Sequence, residues 1–149
     1  MYLLITGGFD PIHSGHLTAF NRAASLGNLI VGLNSDSWLT RKKGTFFMPY
    51  TERRTIISNL NMVYSVLDTW NDDDGTACHA ISKFHKEFGN RREQLAFVNG
   101  GDRTPAGANQ AEFDLCTNLG IVSIFGVGGG KTASSSNFLA DYLEAMTKK

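Results

Sequence analysis

The chain has 149 residues, of which 42% are hydrophobic and 19% are charged. A chain of this length and composition builds a single domain with its own core, and it is neither disordered nor a membrane-spanning protein. Lys and Arg together number 14, and so do Asp and Glu, so no overall charge indicates a nucleic acid or a membrane as partner. We therefore expect one domain over residues 1–149.

The most informative stretch follows the first predicted strand. The apolar run Tyr2-Leu3-Leu4-Ile5 predicts a short buried strand, and Gly7 and Gly8 after it allow the backbone to turn and approach a ligand closely. A helical pattern comes next, with His13 and His16 three residues apart and therefore on one face of its first turn. The start of a helix favours anions, so these residues predict a phosphate site.

Further apolar runs alternate with helical patterns along the chain. The predicted strands are Asn28–Asn34, Met62–Trp70, Leu95–Val98 and Ile121–Phe125. The predicted helices are one capped by Thr51 with Ile56, Ile57 and Leu60 inward, one over Ala77–Phe88, one over Ala108–Leu119, and a last one that buries Phe138, Leu139, Tyr142 and Leu143. This alternation predicts an α/β fold of Rossmann-like type, a five-stranded parallel sheet with helices on both faces. Ligands of such folds bind at the carboxyl ends of the strands.

A basic segment follows the second predicted strand. We expect residues Ser35 to Tyr50 to form a loop that is mobile without ligand and closes as a lid over phosphates. Beyond it, Arg53 shares the apolar stripe of the next helix, whereas Arg54 points about 100° away. Arg53 is therefore expected to face inward and Arg54 to lie on the surface.

Other polar side chains are given structural roles. Asp72 to Asp74 are expected to form a solvated turn, and His79 and His85 to be structural or surface residues. Cys78 and Cys116 lack the spacing of a zinc site or a disulfide framework, which predicts two reduced core residues. No signal peptide is indicated, and a cytoplasmic location is expected.

His13-Ser14-Gly15-His16, preceded by Gly-Gly-Phe-Asp-Pro, resembles the HxGH signature of the nucleotidyltransferase superfamily. Three other segments match in the superfamily's order: Asn34-Ser35-Asp36-Ser37 with Arg41-Lys42-Lys43-Gly44, then Gly100-Gly101-Asp102, then Ser134-Ser135-Ser136. The resemblance covers nearly the whole chain. It is greatest to the cytidylyltransferase-like branches that include the glycerol-3-phosphate cytidylyltransferases and the ADP-heptose adenylyltransferases.

The resemblance implies roles for particular residues. The catalytic residues would be His13, His16, Lys43 and Arg53. The nucleotide would be bound by Gly7, Gly8, Phe9, Asp10, Gly15, Gly100, Asp102, Ser134, Ser135 and Ser136. Mg²⁺ would be held mainly by the phosphates of the nucleotide, with no set of protein ligands and with Asp10 as an outer-shell partner.

The function expected from this resemblance is transfer of CMP or AMP from CTP or ATP to a small phosphorylated acceptor, such as a sugar or polyol phosphate, with release of pyrophosphate. A homodimer that binds neither nucleic acid nor membrane is expected. The chain has Asn99 where heptose-type enzymes have lysine, and Lys131-Thr132-Ala133 precedes its Ser-Ser-Ser motif, so base and acceptor stay open. The alternatives are an adenylyltransferase of the heptose-phosphate or nicotinate-mononucleotide type, a nucleotide-binding regulatory module without turnover, and a metal-dependent hydrolase.

Overall fold

The structure is a computed structural model that describes residues 1–99, 109–127 and 135–147. Strands and helices alternate along this part of the chain: β1 Tyr2–Gly7, α1 Ser14–Ala24, β2 Asn28–Leu33, α2 Asp36–Lys43, α3 Tyr50–Ser58, β3 Val63–Val66, α4 Cys78–Phe88, β4 Leu95–Val98, α5 Gln110–Leu119, β5 Val122–Ile124 and α6 Ser135–Thr147. The five strands form one parallel sheet in the order β3-β2-β1-β4-β5. The predicted five-stranded parallel sheet is confirmed.

The central strand β1 supplies side chains to both faces of the sheet. Tyr2 and Leu4 belong to one core cluster, to which α4 and α5 contribute. Leu3 and Ile5 belong to the other cluster, which includes Phe20 of α1 and part of α3. Successive side chains of a strand point to opposite faces, so a continuous apolar run is what a strand covered on both sides requires. The prediction of helices on both faces is confirmed.

The segment from Ser35 to Tyr50 differs from the predicted loop, because residues 36–43 form helix α2. The Ser35 hydroxyl accepts a hydrogen bond from the Trp38 N–H at 3.0 Å, and Gly44 ends the helix in a left-handed conformation with φ 89°. The basic residues of the last turn complement the helix dipole. The helix buries only Leu39. Its sequence therefore lacks the apolar periodicity from which a helix is predicted.

Several predicted boundaries are also corrected. Helix α3 begins at Tyr50 after Pro49, so Thr51 lies within the helix and is not its cap. Strand β3 covers only Val63–Val66 of the predicted Met62–Trp70. Helix α5 begins two residues later than predicted, because Asn109 caps it through a hydrogen bond from the Glu112 N–H.

The last helix does not bury the side chains predicted for its inner face. Phe138, Tyr142 and Leu143 are 49%, 60% and 62% exposed, and Leu139 is half-buried. The apolar stripe is present, but both faces of the sheet are already covered by α1, α3, α4 and α5. Periodicity predicts such a stripe and not what covers it. In residues 1–99, 109–127 and 135–147, no helix has the length and apolar character needed to cross a membrane.

Candidate active site

The turn after β1 brings the backbone close to its neighbours. A Cβ atom on Gly8 would lie 2.7 Å from Cδ2 of Leu39, and one on Gly7 would lie 2.9 Å from the Phe9 ring. A larger residue at either position would have to displace the Leu39 or Phe9 side chain. The buried Phe9 ring contacts the His16 ring edge-on, with 4.9 Å between centroids, so the turn also fixes one of the two predicted histidines.

The two histidines form the start of α1. His13 is the cap residue itself: its Nδ1 accepts a hydrogen bond from the Gly15 N–H, and the His16 Nδ1 accepts one from the His13 N–H, each at 3.1 Å. The imidazole rings stack with their centroids 3.7 Å apart. Because each Nδ1 is an acceptor, we assign the proton of each neutral ring to Nε2. The Phe138 ring lies edge-on to His13 at 5.7 Å.

A cavity of about 370 Å³ lies at the carboxyl edge of the sheet, where the segments after β1, β2 and β4 meet. The predicted site residues that line it are Gly7, Gly8, Phe9, Asp10, His13, His16 and Lys43. Gly15 does not line it, and its N–H is used by His13. Gly100, Asp102 and Ser134 lie outside the described residues, and for Ser135 and Ser136 only the backbone of α6 is described.

Two lysines from the last turn of α2 line the same cavity. The Lys43 ammonium lies 3.4 Å from the backbone oxygen of Asp10, and the Lys42 ammonium lies 4.6 Å from the centroid of the Trp38 ring. Part of the basic segment that was predicted to be a loop is therefore helical, and two of its lysines line the cavity.

Arg53 is fully buried, which confirms that it faces inward. Its guanidinium donates to four oxygens at 2.7–2.9 Å: the backbone oxygens of Met48, Gly8 and Asn34, and Oδ1 of Asp36. These contacts join the ends of β1 and β2 to the start of α2. Arg53 is not among the residues that line the cavity, so its contacts are those of a positioning residue, and its catalytic role stays a prediction.

Arg54 is not a simple surface residue. Its guanidinium donates to the backbone oxygen of Leu67 at 3.0 Å and to the Tyr50 hydroxyl at 3.2 Å, and it lies 3.8 Å from the Asp68 carboxylate. The side chain is 36% exposed. It therefore ties α3 to the end of β3 with its outer part in solvent.

Asp10 holds the segment between α2 and α3. It is 1% exposed, and its two carboxylate oxygens accept hydrogen bonds from the Phe47 and Met48 N–H groups, each at 2.6 Å. Within the described residues, no three His, Cys, Asp or Glu side chains are grouped to hold a metal ion. A Mg²⁺ ion with mostly phosphate and water ligands is compatible with these surroundings. The role of Asp10 as an outer-shell partner stays a prediction.

Asp72 contradicts the prediction of a fully solvated acidic turn. It is 2% exposed and accepts hydrogen bonds from the N–H and the hydroxyl of Ser35, both at 2.7 Å, and from the Asn34 side chain at 3.3 Å. Arg41 pairs with it at 3.7 Å. Asp73 and Asp74 are exposed, as expected. Asp72 therefore anchors the start of α2, a contact across 37 residues of sequence.

The remaining histidines and cysteines do not line the cavity. His79 is exposed and accepts a hydrogen bond from the Asn71 N–H, and His85 is half-buried, in agreement with structural or surface roles. Both cysteines are free. Cys116 lies in the core as predicted, whereas Cys78 is only half-buried.

The sequence reasoning missed several cavity residues. Four residues that line the cavity have no role predicted from the sequence: Asn34, Trp38, Thr76 and Glu112. Glu112 stands three residues after Asn109, the spacing of a capped helix start, and this was the signal that could have marked it. Trp38 lies on the unpredicted helix α2.

The fold and this cavity define a class of protein: a parallel α/β domain with cationic and histidine side chains at the carboxyl edge of its sheet, suited to phosphate-bearing ligands. The chain matches the cytidylyltransferase-like family over residues 4–114. It belongs to that family, and the resemblance seen in its motifs is confirmed.

Two curated relatives share part of the chain. It is 38% identical over 71 residues to the bifunctional protein HldE of Hahella chejuensis, a match that covers 46% of this chain and 14% of that protein. It is 36% identical over 62 residues to the glycerol-3-phosphate cytidylyltransferase of Bacillus spizizenii, covering 41% of this chain and 48% of that protein. The match thus spans less than half the length of either relative.

Two solved structures have the same fold. A lipopolysaccharide core biosynthesis protein from Thermoplasma volcanium superposes with a TM-score of 0.58 at 24% identity, over 84% of this chain and 93% of that one. A candidate nicotinate-nucleotide adenylyltransferase from Vibrio parahaemolyticus superposes with a TM-score of 0.62 at 13% identity, over 97% and 87%. At these identities the similarity establishes the fold alone.

Proposed function

We propose that the protein is a nucleotidyltransferase that transfers CMP or AMP from a nucleoside triphosphate to a small phosphorylated acceptor, such as a sugar or polyol phosphate, and releases pyrophosphate. The observation that supports this most directly is the stacked pair His13 and His16 at the start of α1, lining the same cavity as Lys42 and Lys43. Membership of the cytidylyltransferase-like family supports it independently.

The proposed reaction needs alignment and charge neutralisation more than it needs a base. A phosphate monoester is largely dianionic at pH 7, because its second pKa is about 6. One of its oxygens attacks the α-phosphorus of the nucleotide and forms a new phosphorus–oxygen bond. The bond from the α-phosphorus to the oxygen that bridges to the β-phosphate breaks, and pyrophosphate leaves with the electron pair. No proton transfer and no covalent enzyme intermediate are required.

The cavity offers the groups that this step would use. The Nε2–H groups of His13 and His16 would donate to the α-phosphate and to the bridging oxygen as negative charge develops there. The Lys43 ammonium would neutralise phosphates of both substrates. Holding the two phosphates side by side removes much of the entropic barrier. Mg²⁺ would accompany the triphosphate and supply further charge neutralisation when bound.

Three alternatives make different predictions for the same assay. Wild-type protein with Mg²⁺ and either CTP or ATP is tested for pyrophosphate release across a panel of phosphate monoesters, together with nucleotide-dependent thermal stabilisation. We expect release that depends on an acceptor, and the nucleotide that supports it identifies a cytidylyl- or an adenylyltransferase. Nucleotide-dependent stabilisation without any release would favour the regulatory module, and release without acceptor would favour the hydrolase.

A homodimer and a cytoplasmic location stay predictions of this proposal. Light scattering checks the first: a single species of 16.3 kDa at working concentration would contradict it.

A further inference from the structure

Three uncharged polar side chains line the cavity at the carboxyl ends of neighbouring strands, and the proposed phosphate chemistry uses none of them. Thr6 lies near the end of β1, Asn34 directly follows β2, and Asn99 directly follows β4. Both asparagines are 5% exposed, and Thr6 is half-buried. Polar groups at such depth are costly unless they are hydrogen-bonded, so the partners of each amide and of the hydroxyl decide what the site can bind.

Thr6 and Asn99 lie on one face of the sheet. Leu4 of β1 pairs with Phe97 of β4, and both belong to the core cluster that α4 and α5 cover. Thr6 and Asn99 each come two residues later on these parallel strands, so they share that face. Helix α1, at whose start the histidines lie, packs on the other face. The cavity therefore extends from the histidines across the sheet edge to Thr6 and Asn99.

The amide groups of the two asparagines are oriented by their own contacts. The Asn34 Nδ2 donates to the Asp72 carboxylate, and the Asn99 Nδ2 donates to the backbone oxygen of Ile124, each at 3.3 Å. Both partners only accept hydrogen bonds, so the NH₂ group faces them and each Oδ1 faces the other way. Within the described part of the chain, no group donates to the Asn99 Oδ1, and the Thr6 hydroxyl has no hydrogen-bond partner.

These oxygens face the cavity and are not enclosed by protein. Among the described residues, the buried side-chain nitrogen or oxygen that lacks a partner is the Trp70 Nε1, so the Asn99 and Thr6 oxygens are accessible. Nor does the link to β5 require the Asn99 amide, because the Ile124 oxygen also accepts the Asn99 backbone N–H at 2.9 Å. A structural role therefore leaves the amide oxygen unexplained.

We infer that Asn99 is a specificity-determining residue whose amide oxygen, beside the Thr6 hydroxyl, binds hydroxyl groups on the non-phosphate part of the acceptor. This inference rests on the proposed function, since it assumes an acceptor phosphate at the histidines and lysines of the same cavity. An amide oxygen only accepts hydrogen bonds, whereas a threonine hydroxyl donates and accepts. An alcohol group can therefore bond to both. A carbon chain without hydroxyl groups would displace water and leave both oxygens unpaired, which is unfavourable.

The experiment compares binding of hydroxylated and unhydroxylated phosphates by calorimetry on the full chain. Glycerol 3-phosphate, ribose 5-phosphate and n-propyl phosphate are titrated with Mg²⁺ and an α,β-methylene analogue of CTP or ATP present. Wild-type protein is expected to bind at least one hydroxylated phosphate roughly tenfold more tightly than n-propyl phosphate. Asn99→Leu, which removes the amide at similar size, should lose this preference. Asn118→Leu, the same change at an exposed position of α5, should keep it.

The nucleotide analogue is also titrated alone, because its ribose carries hydroxyl groups as well. Asn99→Leu should leave its affinity unchanged. A roughly tenfold weaker affinity in this variant would overturn the inference, because the amide would then bind the nucleotide and not the acceptor.

Each other outcome has a defined meaning. A wild-type protein without the preference, one that binds none of the three phosphates, or a folded Asn99→Leu that keeps the preference would overturn the inference. If Asn99→Leu does not fold, Thr6→Val, which replaces the hydroxyl with a methyl group, must lower the preference, and an unchanged preference overturns the inference. Pyrophosphate release is scored separately. Release without a hydroxyl preference contradicts only the inference, and a preference without release contradicts only the proposed function.

Discussion

His13 and His16 serve the fold and the proposed chemistry with different nitrogens of the same rings. Both Nδ1 atoms accept backbone N–H groups that a helix start would otherwise leave unpaired. In the proposed reaction the donors are the Nε2–H groups of the stacked rings. The spacing of the histidines was enough to predict a shared position, but not that His13 is the cap, because histidine is not among the preferred cap residues. The two capping hydrogen bonds hold both rings at the start of the helix, where they stack.

His16→Ala tests both functions of the ring. We expect turnover to fall about a hundredfold or more, because a donor to developing charge is lost, and the free energy of unfolding to fall by about 1 kcal/mol, because a capping contact is lost. Steady-state pyrophosphate release and chemical denaturation measure the two effects. Thr18→Ala, an exposed change on the same helix, is the control. Wild-type turnover in a folded His16→Ala protein would rule out the proposed role.

The two thiols should differ in reactivity. Burial raises the pKa of Cys116 from 9.0 to about 11, and the residue is 0% exposed, whereas Cys78 is half-buried. At pH 8 we therefore expect an alkylating reagent to modify Cys78 well before Cys116, since the thiolate is the reactive form. Mass spectrometry of native and urea-unfolded protein checks this. Equal rates in the native protein would show that the core around Cys116 opens readily.

The same raised pKa has a consequence for stability. A thiol that binds its proton more tightly in the folded protein stabilises the fold below the unfolded pKa. That contribution, on the order of 3 kcal/mol, is lost as the pH rises from about 9 to about 11. Stability should therefore fall over this range in wild-type protein and less so in Cys116→Ala, measured as denaturation midpoints against pH.

At the scale of elements, Arg53 joins pieces of chain that supply the cavity wall. The helical phase predicted from Ile56 and Ile57 put this side chain inward, and that is correct, because an apolar stripe fixes which side of a helix is buried. Its four oxygen partners could not be predicted. Three of them are backbone atoms, which carry no signal in the sequence.

Replacing Arg53 should therefore affect folding before it affects catalysis. Arg53→Lys keeps the charge, but an ammonium cannot reach four separate acceptors. We expect the free energy of unfolding to fall by roughly 3 kcal/mol or more, because buried oxygens are left unpaired. Arg54→Ala removes a partly exposed guanidinium and should lower the free energy of unfolding by about 1 kcal/mol. Urea denaturation of the two variants makes the comparison. Equal stabilities would show that the buried guanidinium network is not formed in solution.

At the scale of the whole molecule, local patterns predicted the layers and the edge on which the site lies. Buried runs alternating with helices fixed a parallel sheet, and parallel strands bring their carboxyl ends to one edge. The Asp10 and Asp72 contacts were missed because they join segments 37 and 38 residues apart. The exposed stripe of α6 was missed because spacing says nothing about the partner of an apolar face.

These contacts change what is expected of the proposed lid. Residues 36–43 are helical, the Gly44 N–H donates to the Thr40 oxygen, and Asp10 binds the N–H groups of Phe47 and Met48, so Thr45 and Phe46 are the positions between α2 and Met48 without such a tie among the described contacts. We therefore expect hydrogen exchange in the free protein to be slow in α2 and at Gly44, Phe47 and Met48, and fast at Thr45 and Phe46. Nucleotide, Mg²⁺ and acceptor phosphate together should slow exchange in that stretch, because Lys43 precedes it and binds phosphate in the proposed reaction.

Exchange measured by mass spectrometry with and without these ligands decides between a lid and a fixed wall. Lys43→Ala should lower turnover and remove the ligand-dependent protection, while Lys42→Ala, which loses a cation over the Trp38 ring, should have the smaller effect. If the stretch is already protected in the free protein and ligands change nothing, the lid is ruled out. Lys43 would then act from a rigid helix, held in place by the Asp10, Asp72 and Arg53 contacts among others.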